Sequence, residues 1–126
     1  MPLLQFETTL SLSPAERESF AAFVTDAYTR EMETTAGHVA VVLREREPSE
    51  LHLGRAVEGD LLLLDAEIRD GRPFEYKRAF AVTVMEHAVK EFGVPEPNAK
   101  VVFTEHAGEN MMGLDRVGGD WSGEVR

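Results

Sequence analysis

Cysteine is absent from this chain of 126 residues, which removes disulfides, thiolate nucleophiles and cysteine-ligated zinc from consideration. Any metal site would rest on histidine and carboxylates. Cationic residues are scarce beside anionic ones, 13 against 23, for a formal net charge of −10. A surface of that sign repels phosphate backbones, so no nucleic-acid partner is expected. The acidic residues are spread along the chain without forming a block, the pattern of a solvated surface. No apolar run has the length of a bilayer-crossing helix, and the N-terminus has neither a signal-peptide pattern nor a twin-arginine motif. The expectation is a cytoplasmic protein with no membrane partner.

What is present suits one domain spanning 1–126: the length fits a single core, and the 43% hydrophobic content is ordinary for a globular chain. The run Pro2-Leu3-Leu4-Gln5-Phe6 predicts a short buried strand. Ser13-Pro14-Ala15-Glu16 predicts a helix start, with Ser13 as N-cap, Pro14 at the first helical position and Glu16 closing a capping box. Phe20, Phe23, Val24 and Ala27 then fall on one helical face, and the helix should end near Met32. Gly37 breaks the pattern, and residues 38–43 are β-branched and apolar enough for a central strand opened by His38. The same plan repeats: a strand over 61–68, a turn at Arg69-Asp70-Gly71-Arg72, a helix opened by Pro73 with Ala81, Val84, Met85, Ala88 and Phe92 as its buried stripe, Gly93 as its stop, and a strand over 100–104.

Two strand-helix-strand units, about 2–45 and 61–105, followed by a tail over 109–126, predict an α+β two-layer domain. Duplicated βαβ units form a four-stranded sheet with both helices on one face. The strands read as apolar on both sides, so the uncovered face predicts burial against sister subunits in a closed oligomer. The tail 111–117 is apolar enough to pack on a neighbour, with Trp121 as its anchor.

Pro2 has two readings. Within the chain it starts an edge strand, where its missing N–H costs nothing. If Met1 is removed, its nitrogen becomes a free secondary amine. α-Amino groups titrate at about 7.7–8 before burial, and cationic neighbours lower that value toward the range useful for proton transfer.

Pro2, the duplicated units and the Arg69-Asp70-Gly71-Arg72 turn together resemble the tautomerase superfamily over nearly the whole chain. The likeness is greatest to its malonate semialdehyde decarboxylase and cis-3-chloroacrylic acid dehalogenase groups. The resemblance implies a homotrimer of βαββαβ subunits without a cofactor, Pro2 as general base or acid, and Arg69 and Arg72 as the grip on a small carboxylate substrate. Guanidinium groups suit that role, since each can hold a carboxylate in a bidentate fork. His38 stands where the decarboxylases carry an acidic residue that handles water, and Tyr28 where the dehalogenases carry an activating histidine. The alternatives are a strand-end histidine bonded to backbone and a tyrosine that packs its ring.

The departures narrow the chemistry. Val102 and Gly113 stand where the dehalogenases place a tyrosine and a glutamate, so the water-activating pair is missing. Glu105, His106 and Glu109 lie nearby but match no established metal-ligand spacing, and no metal is expected. His52 and His87 have no partner pattern and are expected on the surface. Pocket walls are expected from a neighbouring subunit and from loops such as 53–56. The resemblance implies an enol-keto tautomerase acting on a small 2-oxo acid. The alternatives are a malonate semialdehyde decarboxylase or hydratase, in which His38 replaces the acidic partner, and a non-enzymatic oligomer of the same fold.

Overall fold

The computed structural model describes residues 1–119. Its elements are β1 (Leu3–Thr8), α1 (Pro14–Glu31), β2 (Ala40–Glu45), β3 (Leu62–Arg69), α2 (Phe74–Phe92) and β4 (Ala99–His106), then a small hairpin of β5 (Met112–Gly113) and β6 (Arg116–Val117). The main sheet has the order β2-β1-β3-β4. β1 runs parallel to β2 and β3 parallel to β4, while the central pair β1 and β3 is antiparallel. Each helix therefore serves as the crossover of one parallel pair. The α+β two-layer architecture expected from the sequence is the one observed. Among the described residues no helix is long and apolar enough to cross a membrane.

The start of α1 follows from its first residues. Glu16 N–H donates to Ser13 Oγ at 3.1 Å, and Ser13 N–H donates to Glu16 Oε1 at 2.8 Å, which satisfies two groups that a bare helix end leaves orphaned. α2 begins differently. Pro73 was expected inside the helix by analogy with Pro14, yet it stands just before it in an extended conformation, and no side chain caps the turn. Proline has no side-chain acceptor with which to do so. Gly93 ends α2 at φ 69°, a left-handed geometry that glycine adopts without a Cβ penalty.

The core lies between the sheet and the two helices. Leu4 and Phe6 of β1, Leu64, Ala66 and Ile68 of β3, Phe20, Val24 and Tyr28 of α1, and Phe80, Val84 and Ala88 of α2 are buried in one cluster. Phe80, one residue before the expected stripe, is its fully buried aromatic on α2. His87 departs from its expected surface position. Its ring stacks on Phe23 at 3.7 Å with an interplanar angle of 11°, which joins α1 to α2, and burial lowers its pKa.

Two strand boundaries moved for a physical reason. The β1–β2 ladder opens with Ala40 N–H donating to Pro2 O at 3.0 Å and closes with Arg46 N–H donating to Thr8 O at 2.8 Å. The length of β1 thus sets β2 at Ala40–Glu45, and His38 lies on the turn before it instead of opening the strand. The outer sheet face also differs from the apolar surface expected. By register it is mixed, carrying Gln5, Glu7, Arg44, Asp65, Glu67, Lys100 and Thr104 beside Leu3, Ala40, Val42, Leu63 and Val102. Period-2 alternation turns Leu4, Phe6, Leu62, Leu64 and Ile68 toward the helices and leaves Leu3 and Leu63 outside among polar neighbours. Trp121 lies outside the described residues.

Candidate active site at the N-terminal end of β1

Because β1 is parallel to β2 and antiparallel to β3, the start of β1, the start of β2 and the ends of β3 and β4 meet at one end of the sheet. Leu3 is opposite both Ala40 and Glu67, and Arg69 is opposite His106. Every residue singled out from the sequence for chemistry is placed at this end. The loop over 53–56 packs with Thr9 and Leu61 at the opposite end, so within its own subunit it builds no wall here.

Pro2 is buried, and its carbonyl accepts from Ala40. The chain's amino group, on the half-buried Met1, has its pKa lowered from 8.0 to about 6 by burial first, then by the charges of Arg69, Arg72 and Arg116. Arg69 closes β3, and its Nη1 donates to Gly119 O at 2.7 Å. Its Nε is buried without a hydrogen-bond partner among the described residues. The turn after it is held by Asp70 N–H donating to His106 O at 2.8 Å, with Gly71 at φ 109°, a region that side-chain-bearing residues avoid. That geometry swings Arg72 back under the end of α1. Arg72 is only 5% exposed, donates from Nε to Met32 O at 2.9 Å, and lies over the Tyr28 ring at 5.8 Å from the centroid. Burial lowers its pKa.

Tyr28 is 1% exposed and meets Phe80 edge to face at 5.1 Å. Burial pushes its phenol up to about 12, against the opposing pull of Arg72 and Arg69, so at neutral pH it is a neutral donor. Tyr28, Arg69, Arg72 and the terminal amine thus form one electrostatically connected group. His38 stands apart from the arginines: it lines a cavity of about 640 Å³ together with Met1, Pro2, Gln5, Glu67 and His106. Arg72 lies at the end of α1, whereas Arg69 is by register on the same sheet face as Glu67 and His106.

Two features escaped the sequence reading. Arg116, in β6, acts on the terminal amine, although the tail around it reads only as an apolar packing segment. His106 Nε2 lies 2.5 Å from Glu67 Oε1, a pairing across neighbouring strands with no short-range signal. Glu105, next to His106, points to the helix side and pairs with Lys77 at 3.4 Å. Glu105, His106 and Glu109 therefore do not converge, and among the described residues no group of three is placed to hold a metal.

The lowered amine pKa makes a direct prediction for the chain with Met1 in place. An NMR titration of the terminal amine should give a midpoint near pH 6, and Arg69→Ala or Arg72→Ala should raise it. Since the unfolded amine keeps its ordinary value, the unfolded state binds more protons between about pH 6 and 8, and stability should rise with pH across that window. A midpoint near 8 would remove the electrostatic argument.

No family model and no curated protein matches the chain by sequence. Solved structures match it by fold. N1, a member of the cis-3-chloroacrylic acid dehalogenase family, is 19% identical, with a TM-score of 0.82 over 94% of this chain and 84% of that one. FG41 malonate semialdehyde decarboxylase inhibited by 3-bromopropiolate is 21% identical, with a TM-score of 0.74 over 87% of each chain. A wild-type fused 4-OT symmetric trimer is 17% identical, with a TM-score of 0.80 over 92% of this chain and 94% of that one. The fold implied by the sequence resemblance is the fold these proteins share with this chain.

Proposed function

We propose that the chain is a member of the tautomerase superfamily and works, after loss of Met1, as an N-terminal-proline tautomerase on a small 2-oxo carboxylic acid. The observation that carries this reading is the chain's amino group, held partly out of water and within the field of Arg69, Arg72 and Arg116. Removal of Met1 puts a secondary amine one residue further in, on the buried Pro2, where the same two causes act in the same direction. Arg69 and Arg72 grip the substrate carboxylate. The enol then lies between the arginines and the amine, and Pro2 moves the proton between its oxygen and carbon ends. Tyr28, neutral and packed under Arg72, contributes a hydroxyl donor at the carboxylate end. A positioned base and an anion clamp are all that such a reaction requires.

We infer a homotrimer as part of the same reading. One of the structural neighbours is a symmetric trimer, and this subunit exposes Leu3, Val102, Met112, Leu114 and Val117. Those side chains suit an interface that covers the outer sheet face and the hairpin. A cytoplasmic location and the lack of a cofactor are part of the same proposal.

A second reading, decarboxylation or hydration of malonate semialdehyde, is favoured by the presence of His38 in the cavity that also contains Pro2. Intact mass of the expressed protein, coupled to two assays, separates the readings. The expected result is a chain lighter by one methionine that ketonises phenylenolpyruvate. Carbon dioxide release from malonate semialdehyde without ketonisation would favour the decarboxylase. Inactivity in both assays by a chain with a free Pro2 would leave a binding protein of the same fold.

A further inference from the structure

Resting on the tautomerase reading, we propose that His106, oriented by Glu67, is a second acid/base group of the site. It takes over the oxygen end of the transfer given above to Pro2 alone, so that Pro2 serves only the carbon. The placement comes from the sheet. Glu67 of β3 is opposite Leu3 of β1, and His106 of β4 is opposite Arg69 of β3, so both lie on the outer face at the Pro2 end of the sheet. Glu67, His106, Pro2 and His38 line one cavity of about 640 Å³, which is ample for a small keto acid.

The pair also has the right internal order. His106 Nε2 is 2.5 Å from Glu67 Oε1, and a carboxylate bonded to one ring nitrogen fixes the ring and assigns the proton to that nitrogen. Nδ1 is left as the acceptor. Further along the same face, burial and the neighbouring Glu67 carboxylate raise the Asp65 pKa. His38 is less well suited, because it lies on a turn outside the sheet, whereas the His106 ring is fixed across two strands.

The proton balance closes without another reagent. The Pro2 ammonium gives its proton to the substrate carbon, and the enol O–H gives its proton to His106 Nδ1. The double bond moves from C=C to C=O, and the enzyme ends as neutral proline and imidazolium. Water returns the proton from His106 to Pro2 between turnovers. Neither oxidant nor reductant is involved.

The test is steady-state ketonisation of phenylenolpyruvate by His106→Ala, Glu67→Gln and Glu67→Asp, with His38→Ala alongside. The expected result for His106→Ala is a fall in kcat of roughly 10²-fold with KM little changed, partly restored by added imidazole. Glu67→Gln should lose about tenfold, and Glu67→Asp should recover part of that loss, because a carboxylate is needed as well as a hydrogen bond. A His106→Ala enzyme with wild-type kcat would overturn the assignment, as would a loss of kcat that imidazole leaves untouched. A large loss in His38→Ala with none in His106→Ala would transfer the role to His38. These outcomes are distinct from failure of the tautomerase reading, in which wild type and Pro2→Ala give equal rates.

Discussion

Tying the Pro2 nitrogen into an amide should abolish most of the activity. An N-terminal extension that resists methionine removal converts the secondary amine into a tertiary amide, which neither accepts nor donates a proton. General acid-base groups contribute typically 10²–10⁴-fold to rate, and kcat is expected to fall by about that factor. The fold should survive. Pro2 holds the sheet through its carbonyl, which accepts from Ala40 N–H, and that bond is untouched by what precedes the residue. Circular dichroism and the oligomeric state should match the processed protein. Pro2→Ala is a milder change, since processing leaves a primary amine at the same place. It loses the fixed φ of the pyrrolidine ring and with it the aim of the nitrogen, so an intermediate rate is expected.

Arg72→Ala should be nearly as damaging, but through two separate quantities. Its guanidinium is almost fully buried, donates from Nε to Met32 O, and lies over the Tyr28 ring. In the proposed role the same guanidinium grips the substrate carboxylate. Two charge-assisted hydrogen bonds at about 1.5–3 kcal/mol each correspond to roughly 10²–10⁴ in kcat/KM, and the loss should fall mainly on KM. The Met32 carbonyl, at the C-cap of α1, would also lose its donor, at a cost of about 1–3 kcal/mol measured by urea unfolding. Arg72→Lys keeps the charge but loses the fork, so it should recover stability in part and binding poorly. Arg69→Ala separates the two effects. Arg69 is half-buried and bonds to Gly119 O near the chain's C-terminal end, so its removal should raise KM with little change in stability.

Local chemistry made much of this fold legible in the sequence. The capping box at Ser13, the apolar stripe from Phe20 to Ala27 and the glycine stop at Gly93 are short-range signals, and each is found where the sequence placed it. Signals that depend on a distant strand were less legible. β2 begins at Ala40 because Pro2 supplies its first acceptor, and nothing within 37–43 encodes that partner. The outer face looked apolar because Leu61–Leu64 read as one run, although strand alternation sends every second residue outward. Arg116 and the Glu67–His106 pair were invisible for the same reason, since they meet the amine and each other across separations of dozens of residues. His87 was hidden by its type. A histidine with no partner pattern reads as surface, but its ring is flat enough to stack on Phe23 between the helices.

The central claim is that a free Pro2 amine lies in an anion-binding site and is its proton-transfer group. The most direct measurement is treatment with an alkynyl 2-oxo acid, whose activated triple bond adds neutral amines, followed by peptide mass mapping. The predicted result is one adduct per chain, on the Pro2 nitrogen of a protein lacking Met1, formed with loss of ketonisation activity and slowed in Arg72→Ala. An N-terminal peptide that still carries Met1, or labelling confined to Lys77, Lys90 or Lys100 while activity persists, would contradict it.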